Sequence, residues 1–81
     1  VKVKVKLFAI ARDITGADEF EILLAENAHV SDLLKILVDR HAGLKKWQGY
    51  LRFAVNQTYC QAGKVLKDGD EVAVIPPVSG G

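Results

Sequence analysis

The sequence predicts an α+β fold, a mixed sheet of about five strands with one main helix packed across one face. Three observations carry that expectation: strict two-residue alternation at the N-terminus, one stretch of helical period after residue 29, and a return to short apolar runs separated by turn residues. A chain of 81 residues makes one domain. At this length folding hides only roughly 60% of the unfolded surface, so the core is modest. With 49% of residues apolar and 26% charged, the balance is that of a folded globular domain and not of a disordered chain.

Val1, Val3, Val5 and Leu7 alternate with Lys2, Lys4 and Lys6, which places aliphatic side chains on one face of a first strand and ammonium groups on the other. Three lysines at period two read as a solvated sheet face, not a nucleic-acid patch. The apolar run continues from Phe8 to Ala11. Arg12, Asp13, Thr15 and Gly16 then supply turn chemistry, and Glu19 to Leu24 reads as a second strand, so this region is expected to be a hairpin with a longish loop. Ala25 to His29 breaks the pattern. Val30, Leu33, Leu34, Leu37 and Val38 fall on one side of a helix that should pack on the sheet. Its N-cap is either Ser31, a preferred capping residue, or His29, which would put Asp32 in the first turn. Gly43 is the expected stop.

Gly43 to Tyr50 reads as a connection in which Trp47 covers one end of the core. Leu51 to Val55 and Thr58 to Gln61 read as short strands about Asn56-Gln57, and Asp68-Gly69 marks a turn before a last strand, Glu71 to Ile75. The order strand, strand, helix, strand, strand, strand in so short a chain resembles the β-grasp fold of ubiquitin.

A self-contained active site is not evident. A net charge of +1 gives no field for nucleic acid, acidic membrane or polyanion. The carboxylates are scattered, and Asp68 and Asp70 suit backbone hydrogen bonding in a turn. His29 and His41 flank the helix too far apart to share a metal as an i,i+4 pair. Cys60, the lone cysteine, reads as a small buried hydrophobe, and one thiol forms no internal disulfide, which fits a reducing, cytoplasmic setting. The alternating N-terminus lacks the apolar stretch of a signal peptide, and nothing later has the length of a membrane span. No phosphate-cradling glycine loop is present, so ATP chemistry would have to come from a partner.

The chain's last six residues, Pro76-Pro77-Val78-Ser79-Gly80-Gly81, are different. Two prolines stiffen the exit from the last strand, and two glycines without Cβ atoms make a slender tip that can enter a narrow channel. A bare Gly-Gly is often only a frayed end. Combined with the Pro-Pro exit and the small domain, it suggests a presented carboxylate, with a domain at 1–75 and an extended tail at 76–81.

The blocks Phe8-Ala9 with Arg12, Ala54-Val55-Asn56-Gln57-Thr58, Leu66 with Asp68-Gly69-Asp70-Glu71-Val72-Ala73, and Pro76 to Gly81 follow in the order and spacing of a known family. Across essentially its whole length the chain resembles the small subunits of molybdopterin synthase, ubiquitin-like sulfur carriers of molybdenum cofactor biosynthesis. That resemblance implies that an E1-like adenylating enzyme uses ATP to activate Gly81, and that a sulfur-donor protein converts the adenylate to a thiocarboxylate. It implies that the large synthase subunit then passes the sulfur to cyclic pyranopterin monophosphate, two deliveries making the dithiolene that binds molybdenum or tungsten. The assembly implied is a heterotetramer with two small and two large subunits, the acid-base residues belonging to the large one. Pro76, Pro77, Val78, Ser79 and Gly80 would guide the inserted tail, Phe8, Arg12 and Ile75 match positions near the subunit interface, and no metal or intrinsic cofactor is expected. Competing readings are a sulfur carrier for thiazole synthesis, a ubiquitin-like protein modifier joined through Gly81 to target lysines, and a binding module without terminal chemistry.

Overall fold

Alternation in the first strand fixes the two faces of the sheet. In β1 (Lys2–Leu7), Val3, Val5 and Leu7 are buried while Lys2 and Lys4 face solvent. In the computed structural model, which describes residues 1–77, the chain continues through α1 (Ala9–Thr15), β2 (Glu19–Leu23), α2 (Val30–Arg40), a 3-10 segment (Ala42–Trp47), β3 (Arg52–Val55), β4 (Thr58–Cys60) and β5 (Glu71–Ile75). The strands form one sheet in the order β2-β1-β5-β3-β4. The central β1 and β5 run parallel, and every other neighbouring pair is antiparallel. This is the expected five-stranded mixed sheet, with α2 across its inner face.

The core lies between that face and α2. Val5 pairs with Val72 and Leu7 with Val74 across the parallel ladder, Phe53 and Val55 extend the layer from β3, and Val30, Leu33 and Leu37 close it from the helix. Fully burying such a side chain is worth about 1.5–3 kcal/mol. Leu34 and Val38, at the flanks of the helical stripe, are only partly buried.

The helix begins at His29, not Ser31. His29 takes the extended cap conformation, and its backbone N–H donates to Asp32 Oδ2 at 2.8 Å. The first N–H groups of a helix have no partner within it. Here the loop after β4 supplies them: Val30 N–H donates to Lys64 C=O at 2.9 Å and Ser31 N–H to Ala62 C=O at 3.0 Å. The competition between two cap candidates was therefore decided by a long-range contact.

Two expectations are corrected. Residues 9–15, read as the end of an apolar run followed by a turn, form α1, which ends on Gly16 in the left-handed conformation (φ 77°) with its N–H bonded to Arg12 C=O at 2.8 Å. A helix of 7 residues is too short to stand alone, and it forms here because Ala11 is buried and Ile14 packs against the core. Gly43 does not end α2. The helix closes at His41, whose N–H still reaches Leu37 C=O at 2.9 Å, and Gly43 lies within the 3-10 segment. A Cβ there would come 3.0 Å from Ile14 Cγ2, so glycine permits close approach of α1.

The turns are held by side chains as well as backbone. Asn56 and Gln57 both adopt positive φ (50° and 71°), as a two-residue hairpin between Val55 and Thr58 requires. Asn56 Nδ2 donates to Asp70 Oδ1 at 2.9 Å, Glu71 N–H donates to Asn56 Oδ1 at 3.0 Å, and Lys67 N–H donates to Asp70 Oδ2 at 2.8 Å. Asp68 Oδ1 accepts from Lys2 N–H at 2.7 Å. These bonds clamp the start of β5 to the β3–β4 hairpin and to β1.

Candidate functional site

β5 is a central strand, paired with β1 through Leu7↔Val74 and with β3 through Arg52↔Ile75. Pro76 follows without an N–H and cannot extend the ladder. It is buried against the domain, and Pro77 is exposed. The direction in which the chain leaves is thus set by a strand held on both sides. The tail positions Val78, Ser79, Gly80 and Gly81, including the proposed reacting carboxylate, lie outside the described residues.

The outer sheet face near this exit is divided. On the β1–β2 side Lys4 meets Glu19 at 3.6 Å, and at the seam with β5 Lys6 meets Glu71, the first residue of that strand, at 3.5 Å. Exposed pairs of this kind add at most about 1 kcal/mol each, but they keep that half hydrophilic. On the β5–β3–β4 side, Ala73, Ala54 and Tyr59 follow one another across the register. Ala54 is only 6% exposed although it faces away from the core, while Tyr59 is 68% exposed. Small residues in the middle and an aromatic at the margin make a low apolar strip.

Phe8 stands at the end of β1, in extended conformation and 47% exposed, as the N-cap of α1. Its carbonyl accepts from Ala11 N–H at 3.0 Å and from Arg12 N–H at 3.4 Å, so α1 sets Arg12 one turn from Phe8. Arg12 reaches Asp18 at 3.8 Å. Ile75, partly buried, ends β5 one step beyond the Leu7↔Val74 pair. The fold therefore gathers Phe8, Arg12 and Ile75 at the end of the sheet where the tail emerges. The sequence reading counted Ala54 and Ala73 in its resemblance blocks but gave neither them nor Tyr59 a place on this surface. Counting by twos back from Ile75 would have found Ala73, but the cross-strand register needed for the other two is not legible in one segment.

Among the described residues there is no group of three or more His, Cys, Asp or Glu able to hold a metal ion, and no polar or charged residue is buried. His29 Nδ1 and Asp32 Oδ2 lie 3.5 Å apart, an arrangement explained by capping. The bond from the His29 backbone N–H holds the Asp32 carboxyl below its ordinary pKa, with smaller help from the His29 side chain. Cys60 is partly buried, not fully as expected, with Sγ 3.8 Å from Phe53 C=O. No helix among the described residues is long and apolar enough to cross a membrane.

The profile of the ThiS family matches residues 5–81. The chain belongs to the ThiS family. This ThiS-family chain is 42% identical over 83 residues to the molybdopterin synthase sulfur carrier subunit of Chlamydomonas reinhardtii, a match spanning 100% of both chains. Among solved structures it resembles a Pyrococcus furiosus protein assigned as molybdopterin converting factor subunit 1, with 43% identity, a TM-score of 0.87, and coverage of 96% of this chain and 99% of that one. It also resembles a chain from the complex of subunits 1 and 2 of the Helicobacter pylori molybdopterin-converting factor, at 29% identity and a TM-score of 0.70 over 100% of each chain. The sheet order and helix placement are those of the ubiquitin-like β-grasp sulfur carriers.

Proposed function

We propose that this ThiS-family chain is the sulfur carrier subunit of a molybdopterin synthase. The observation that carries the reading is the full-length match, 42% identical, to a relative bearing that role. Residues 1–75 act as the holding domain and 76–81 as the reactive tail. The Gly81 carboxylate attacks the α-phosphate of ATP inside an E1-like adenylating enzyme, and pyrophosphate leaves. A hydrosulfide equivalent from a sulfur-donor protein displaces AMP and leaves a thiocarboxylate. Within the large subunit that sulfur passes to cyclic pyranopterin monophosphate, and water returns the carboxylate.

The geometry supports this division of labour. A sheet with no convergent catalytic groups among its described residues, but with a tail leaving a central strand, suits a carried reagent. The apolar strip of Ala54, Ala73 and Tyr59, with Phe8, Arg12 and Ile75 at its end, is the surface proposed to meet the large subunit in a heterotetramer. Depleted in charge at its centre and rimmed by Arg52 and the Lys6–Glu71 pair, it has the anatomy of a protein interface.

The test is to prepare the Gly81 thiocarboxylate, mix it with the cognate large subunit and cyclic pyranopterin monophosphate, and follow molybdopterin and carrier mass together. Conversion of thiocarboxylate to carboxylate alongside product is the expected result. A thiocarboxylate that persists without product, against a large subunit active with another carrier, would reject the assignment in favour of thiazole synthesis or protein conjugation.

A further inference from the structure

A second surface lies away from the sheet's outer strip. α1 and the 3-10 segment flank an open cleft of about 490 Å³ lined by Ile10, Ile14, Gly43 and Trp47, with Lys45 and Lys46 beside them and no acidic residue in the lining. We propose that this cleft docks an acidic segment of a partner protein, one that seats an aliphatic or aromatic side chain against Trp47 and sets its carboxylates on Lys45 and Lys46. The proposal does not depend on the sulfur chemistry of Gly81.

Two features favour that occupant. The floor is preformed: Gly43 lies so close to Ile14 that an added Cβ would stand 3.0 Å from Cγ2, and both Ile14 and Trp47 pack against the core. The charges are unspent. Lys4 and Lys6 each have a carboxylate partner on the sheet, whereas among the described residues neither Lys45 nor Lys46 forms an ion pair. Lys46 Nζ is instead held 5.8 Å from the centre of the Trp47 ring, within cation–π range, so an ammonium is positioned beside the apolar floor.

Apolar floor and two adjacent cations together match a short run such as Glu-Leu-Phe-Glu. A net charge of +1 and only two cationic groups at the rim make a polyphosphate strand the poorer fit.

Trp47 is the only tryptophan, so its emission reports on the cleft alone. The full chain is titrated with the probe acetyl-Glu-Leu-Phe-Glu-Glu-amide, with a probe in which lysines replace the glutamates, and with a single-stranded oligothymidylate. The expected result is a saturable shift of Trp47 emission with the acidic peptide only. The double variant Lys45→Glu with Lys46→Glu should weaken binding at least about tenfold by reversing the complementarity while retaining the wild-type circular dichroism spectrum. Because both lysines are exposed, that variant is expected to fold, and Lys45→Gln with Lys46→Gln provides a neutral second test. No saturable shift at millimolar peptide, equal affinity for the basic peptide, or unchanged affinity in the folded charge variants would overturn the proposal. Preferential binding of the oligonucleotide would also overturn it, assigning the cleft to nucleic acid.

Discussion

Replacing Leu37 by alanine separates the holding domain from the reacting tip. Leu37 is 0% exposed in the middle of α2, packed between helix and sheet, and lies on neither the outer strip nor the tail. Leu→Ala changes at such sites cost about 2.7–5 kcal/mol, from lost transfer energy plus the cavity left behind. For a chain of 81 residues, total stability falls at roughly 4–12 kcal/mol. A loss of about 3.5 from the middle of that range leaves about 4.5 kcal/mol, and so well under about 1% unfolded at room temperature. The midpoint should drop by roughly 15–25 °C. Thermal circular dichroism measures the drop. Single-turnover sulfur transfer from the Gly81 thiocarboxylate, run at low temperature where the variant is folded, should then match wild type. Deleting Gly81 should do the reverse, leaving the midpoint unmoved and abolishing transfer. If folded Leu37→Ala transfers sulfur as poorly as the deletion, the core takes part in the chemistry and the division between holder and tip is wrong.

Asp70→Ala removes the acceptor shared by Asn56 Nδ2 and Lys67 N–H, and should lower stability by about 1–2 kcal/mol in urea unfolding, with Asp70→Asn intermediate. An unchanged midpoint would show that the clamp on β5 is redundant. Ala9 sits at φ 50°, so Ala9→Val should cost at least about 1–2 kcal/mol, whereas Ala9→Gly should stay within about 1 kcal/mol of wild type because relief of strain offsets added chain entropy. Equal effects of the two would deny the strain. The folded-state pKa of Asp32 is lowered, so its contribution is fully present above the ordinary value of about 3.8 and is lost as pH falls through the folded value. The urea-midpoint gap between wild type and Asp32→Asn should therefore be open at pH 7 and close progressively below about pH 4. A gap constant with pH would remove Asp32 from the acid response.

The strands were legible because each carries its own signal: alternation in β1, and in β3 and β5 short apolar runs bounded by Asn56-Gln57 and Asp68-Gly69. α1 was not, because Ile10, Ala11 and Ile14 offer a single helical turn among residues that also suit a turn, and burial decided between them. Gly43 misled for a related reason. Glycine after a helix usually marks a stop, whereas this one is required by the side chain of Ile14, 29 positions earlier in the sequence. The tail could be singled out from its composition, and Phe8, Arg12 and Ile75 from family resemblance. The apolar strip could not, since Ala54 and Tyr59 become neighbours only through the hairpin register.

The placement of the exit explains why a central strand carries the tail. β3 runs antiparallel to β5 and begins at Arg52, directly opposite Ile75. β1 runs parallel to β5 and would continue alongside the tail, but at Ala9 the backbone turns to positive φ and enters α1. Both neighbours therefore end at the level of Ile75, and β5 alone proceeds past the sheet. An edge strand could present a tail with less rearrangement, but it is paired on one side only and opens more readily. A central strand is held by two ladders, yet it presents a tip only if its neighbours stop in time. The strain at Ala9, about 1–2 kcal/mol, is what this fold spends to clear the path.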